Sequence, residues 1–202
     1  MLLLTLFIAA PARAQDRYVP AEIGQEPPGE TFYENWFGDQ LRAMGEPILS
    51  RPGDLGRYNM RLRMLVLPTF QHGFAIRIDE SASGGLVTFV ELTGHGGYAP
   101  GQVRRRLSYH LSPAEMRDVH QLLRDAELAA SPAWALPPPL ADDENGQLVT
   151  VCADGTHYVF ELDDRAGNRF IHGSDCDISQ RYQTLVREML SLHPDARRLA
   201  QR

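Results

Sequence analysis

The chain has 202 residues, of which 43% are hydrophobic and 23% charged, and its formal net charge is −6. This is ordinary globular composition, long enough to bury a core without metals, and the sign of the charge excludes a general nucleic-acid binder. All basic residues are arginine, so Schiff-base chemistry, a Walker-type phosphate lysine and a Ser–Lys dyad are excluded as well.

Leu2 to Ala10 is apolar apart from Thr5, and Pro11 and Ala12-Arg13-Ala14 follow. An apolar core ahead of a small-x-small site predicts a signal peptide over 1–14, too short to span a bilayer. The mature chain is therefore expected in the periplasm or outside the cell, soluble and without a transmembrane span. No Cys follows the cleavage site, so lipid attachment is not expected there. Pro20, Pro27, Pro28 and Gly29 predict a flexible leader over 15–29. A single α+β domain is expected over 30–194, with a C-terminal tail over 195–202.

The domain opens with Thr31 and Glu34 in capping-box spacing. Phe32, Tyr33, Trp36, Phe37, Leu41 and Met44 recur with helical period, and Gly45 with Pro47 ends the helix. The aromatic cluster reads as core packing. From Met60 the period becomes two: Met60, Leu62, Met64 and Val66 share one side, Arg61 and Arg63 the other. Phe74, Ile76 and Ile78 repeat the pattern. A third strand, Leu86 to Leu92, is apolar on both faces apart from Thr88 and Glu91, which suits a central position. A fourth, Gln102 to His110, sets Val103, Leu107 and Tyr109 against Arg104, Arg106 and His110. Short links between these strands predict an antiparallel meander.

Ser112-Pro113-Ala114-Glu115 is a second capping box, and Met116, Val119, Leu122, Leu123 and Ala126 form the buried stripe behind it. Pro132, Pro137-Pro138-Pro139 and Asp142-Asp143-Glu144 mark a break over 131–146, with Trp134-Ala135-Leu136-Pro137 expected to be exposed. A hairpin is predicted from 148–153 through Asp154-Gly155 to 156–162, with a short strand near Arg169–His172. The last helix, over 178–192, carries Ile178, Tyr182, Leu185, Met189 and Leu192. The expected architecture is an antiparallel meander with helices packed on one face, completed by a disulfide-linked hairpin and C-terminal helix.

Cys152 and Cys176 are the two cysteines. In an oxidising compartment an isolated even pair predicts a disulfide, here pinning the last helix to the hairpin and closing a loop of about 25 residues. The rival is a reactive thiol at Cys176 near a helix N-terminus, with His172 four residues before it.

Arg61, Arg63, Arg77, Arg104 and Arg106, with His110 nearby, are expected on one sheet face. Arginine suits bidentate capture of carboxylate or phosphate, so this face is a candidate platform for an anionic partner. The competing reading is a solvated face with Asp79, Glu80 and Glu91 paired across strands. Gly94-His95-Gly96-Gly97-Tyr98 lacks the G-x-S-x-G elbow that would make it an oxyanion segment. The seven histidines include no metalloprotease spacing, although His72 and His95 fall on connections that could meet at one sheet end. Aligning Gly146 with the EF-hand glycine puts Ala141 and Cys152 at ligand positions, so that motif is absent. No cofactor or metal is assigned.

The expected function is a non-catalytic binding or accessory domain of the cell envelope. Its partner would be an envelope protein or an anionic glycan or lipid head group. The alternative is an exported hydrolase with a non-linear His/Asp site, for example His95 with an acid of the 142–144 loop. A third reading is a structural domain that pairs with a neighbour in a larger complex.

Overall fold

The alternating stretch that starts at Met60 becomes the central strand of the sheet, because its two edges accept different partners. The computed structural model describes residues 17–19, 32–49, 55–95, 99–131, 134–135, 154–175 and 178–192. The elements in chain order are α1 (Phe32–Ala43), β1 (Met60–Pro68), β2 (His72–Ser81), β3 (Gly84–His95), β4 (Val103–Leu111) and α2 (Pro113–Asp125). They are followed by β5 (Trp134–Ala135), β6 (Thr156–Asp164), β7 (Gly167–Ser174) and α3 (Gln180–Ser191). The sheet order is β4-β3-β2-β1-β6-β7-β5. Six strands are antiparallel, and β5 adds a two-residue parallel pairing to β7. The fold is α+β.

One edge of β1 pairs with β2 and the other with β6, so Leu62 sits between Ile78 and Leu162, and Met64 between Ile76 and Phe160. These positions face α2 and α3, where Met116, Val119, Leu123, Tyr182, Leu185 and Met189 close the larger core. α2 starts as its sequence dictates: Ser112 caps Glu115 N, and the Glu115 carboxylate accepts from the Ser112 backbone. Replacing such a cap costs about 1 kcal/mol.

The expectation of helices on one face is corrected. The opposite face also carries an apolar patch, from Leu65, Leu67, Ala75, Val90, Val159 and Phe170, and α1 covers it with Phe37, Leu41 and Met44. Two apolar faces on one sheet require two layers of cover. α1 ends in a Schellman motif: Gly45, at φ +62°, donates to Arg42 O and Glu46 N donates to Leu41 O. That turn lowers Glu46 onto the sheet.

The hairpin is also corrected. β6 is filled by β1 on one edge and by β7 on the other, so its hairpin partner is 167–174 and the turn is Arg165-Ala166. Gly155 instead accepts from Thr69 at the end of β1. The 148–153 segment lies outside the described residues. So do the signal sequence, Thr31, most of the 131–146 break, His193, the tail and both cysteines. β3 is internal but not central, since the β6–β7 hairpin adds to β1 and not to β4.

Candidate binding face

Arg61, Arg63, Arg77 and Arg106 do share the α1 side of the sheet, as the alternation predicts. The surroundings of Arg61, Arg63 and Arg77 are acidic and closed, whereas Arg106 is exposed. Arg63 is fully buried. Its Nε donates to Glu161 Oε2 at 2.7 Å, and its Nη1 donates to Pro47 O at 2.7 Å and to Glu46 Oε2 at 3.4 Å. Arg77 reaches the same Glu46 oxygen and donates from Nε to Asp79 Oδ2 at 2.9 Å. Arg61 Nε stands 3.2 Å from Asp79 Oδ1, and its guanidinium lies 4.6 Å from the Tyr58 ring centre. Register explains the pattern. Arg61 lies between Asp79 and Asp163, and Arg63 lies between Arg77 and Glu161.

These rows form a buried ion network, and the acids that close it come from β2, from β6 and from the α1 turn. Glu46 Oε1 and Glu161 Oε1 have no hydrogen-bond partner among the described residues. Burial raises the Glu161 carboxyl above its ordinary range, against the pull of Arg63. In the intact fold Arg63 cannot touch an external ligand. Arg106 donates to Met44 O at the end of α1 and so fixes that helix terminus.

Arg104 is on the other side. The β3–β4 ladder shifts register between Glu91 and Leu92, pairing Glu91 with Arg105 and Leu92 with Val103. Arg104 is the extra residue of this bulge, and it turns with Arg105 toward Glu91, at 3.0 Å and 2.9 Å. The bulge also moves Val103 to the side opposite Leu107. Five arginines on one face thus become four facing α1 and one beside Arg105 at the sheet edge. The edge keeps its exposure: Val103 is 42% and Leu107 39% accessible.

The histidines form two pairs that spacing did not identify as sites. His72 and His95 are register partners with rings 6.0 Å apart, and His72 Nδ1 donates to Gly94 O at 3.2 Å. They meet at one sheet end as expected, and no cluster of three His, Cys, Asp or Glu with metal geometry occurs among the described residues. The acids of 142–144 proposed to assist His95 lie outside those residues. His157 and His172 share a 3.0 Å hydrogen bond beneath Tyr33, Trp36 and Phe37. Burial, reinforced by His172, lowers the His157 pKa to about 3, so the His157 ring is neutral near pH 7. His120 pairs with Glu80 at 2.8 Å on the α2 side, and His110 is exposed on the outermost strand.

The β6 pattern held the missed signal. His157, Val159, Glu161 and Asp163 alternate with Tyr158, Phe160 and Leu162, placing two acids on the face that meets the β1 arginines. Glu46 offered no such signal, since only the turn after α1 brings it there. The chain matches no protein-family model, no curated protein and no solved structure. Among the described residues no helix is long and apolar enough to cross a membrane.

Proposed function

We propose that the protein is an exported, non-catalytic binding or accessory domain of the cell envelope. In this reading an acidic, extended segment of another envelope protein adds to the sheet along the outer edge of β4. One observation carries it: β4 is a nine-residue strand at the end of the sheet with Val103, Leu107, Arg104 and Arg105 at or near its surface. An edge of this length invites further pairing unless it is covered. Strand addition supplies affinity through main-chain hydrogen bonds and specificity through alternate side chains. Three consecutive arginines, Arg104 to Arg106, give the edge a positive field that favours an acidic partner.

The inner arginines Arg61, Arg63 and Arg77 serve the fold in this reading, so the anionic contact narrows to Arg104 with Arg105. Export rests on the leader at 1–14, and the Cys152–Cys176 disulfide follows from the compartment.

The test is capture from native envelope extract on immobilised mature protein. Arg104→Glu with Leu107→Asp should lower retention roughly tenfold, and added salt should weaken it further. Amides of β4 should then exchange more slowly when the partner is bound. Retention indifferent to both substitutions and to salt would remove β4 from the account.

A further inference from the structure

The α2–α3 side of the sheet holds a cavity of about 220 Å³ that the edge reading does not use. Its floor is Leu62 and Ile78, two fully buried side chains of the central strands. Its walls are Val119 and Leu122 of α2 with Met189 and Leu192 of α3. The mouth differs from the floor. Glu115, Asp118 and Glu188 stand there; Arg187 pairs with one oxygen of Glu188 at 3.2 Å, and no basic side chain lines the cavity itself among the described residues.

Glu115, Asp118, Val119 and Leu122 follow one stripe of α2, so a single helix face supplies both the dry wall and the charged rim. The capping box fixes Glu115 in place, because its Oε2 accepts from Ser112 N at 2.7 Å and from Ser112 Oγ at 2.8 Å.

We propose that this cavity binds small amphiphilic cations: primary alkyl- or arylalkylammonium ions. The apolar end lies against Leu62 and Ile78, and the ammonium sits among Glu115, Asp118 and Glu188. Size, polarity and charge each support this assignment. An apolar cavity of about 150 Å³ already takes benzene and stays dry, so the space here suits a slightly larger apolar body. Simple inorganic cations have nothing to place on the floor, and anions meet three carboxylates at the entrance. A primary ammonium carries three donors and can serve more than one carboxylate at once.

The experiment is calorimetric titration of the full chain at low ionic strength with n-hexylammonium, 1-hexanol and hexanoate. Hexylammonium should bind roughly tenfold more tightly than hexanol, and hexanoate should not bind measurably. The advantage over hexanol should shrink to about twofold at 1 M salt, where the Debye length is near 3 Å. Asp118→Asn with Glu188→Gln, both on exposed helix surface, should bring hexylammonium down to the alcohol. Leu122→Trp should fill the cavity and abolish both. Equal binding of hexanoate, no binding of hexylammonium, or full cation preference in the Asn/Gln double variant would overturn the proposal. A cationic peptide that binds where hexylammonium does not would overturn it too. None of these results bears on the outer edge of β4, which meets the cavity only at its last residue, Leu111.

Discussion

Arg63 and Glu161 lie 98 residues apart in the chain and face each other across adjacent strands, each nearly without solvent contact. Two charges removed from water stabilise a fold little beyond what well-packed apolar residues would, but losing one of them leaves the other stranded. Arg63→Met should therefore lower unfolding free energy by about 3–5 kcal/mol. Arg63→Met combined with Glu161→Leu should recover most of that loss. Urea denaturation of the single and double variants measures the coupling, and additive losses would show that the two groups act independently.

The His157–His172 pair makes stability depend on pH with a definite sign. The folded His157 pKa of about 3 lies below the unfolded value of 6.5, so the unfolded chain binds the extra proton between those limits. Stability from this group is complete above pH 6.5 and falls as pH drops toward 3, by at most about 1.4 kcal/mol per unit. Glu161 works the other way: its raised carboxyl pKa contributes stability in acid that is lost as pH rises. Thermal midpoints from pH 3 to 7 should flatten in His157→Gln by close to one proton. An unchanged slope would mean that His157 is charged in the fold.

Two glycines should respond oppositely to alanine. A Cβ on Gly94 would lie 1.7 Å from Ala99 O and 2.5 Å from Pro100 C, both backbone atoms of the β3–β4 connection. Gly94→Ala should cost about 3 kcal/mol or more, since the backbone itself must move. Among the described residues a Cβ on Gly38 meets only Tyr18 Cβ, at 3.8 Å. Gly38→Ala, inside α1, should stabilise by about 0.5–1 kcal/mol. Chemical denaturation of the two variants distinguishes them.

The proposed export makes a covalent prediction. Intact mass of protein from the native envelope should correspond to a chain beginning at Gln15, and reduction should add two hydrogens. Reducing Cys152–Cys176 should lower stability by roughly 3–4 kcal/mol on the chain-entropy account. Retention of Met1 with both thiols free would contradict the proposed compartment.

The strands of the meander were legible because alternation at Met60–Val66 and Phe74–Ile78 reports local geometry directly. So was the start of α2, where Ser112 and Glu115 are three residues apart. Sheet order was not legible. β6 joins β1 through contacts remote in sequence, and the Asp154-Gly155 turn signal competed with a pairing in which β6 has no vacant edge. The arginine face was half legible: alternation placed Arg61, Arg63 and Arg77 together, but a one-residue bulge moved Arg104 away. Burial of that face came from Glu46 and Glu161, on elements far from β1 in sequence. No short-range pattern contains that information.

The central place of β1 has a consequence for the growing chain. β1 to β4 are made consecutively, whereas β6 follows only after the long stretch beyond α2. Until then β1 is a terminal strand, and Arg63 has Glu46 within reach but not yet Glu161. An incompletely neutralised guanidinium on an edge strand deters stray association. A charge fully enclosed in the finished molecule thus borders an open edge in the unfinished one, until its second acid arrives.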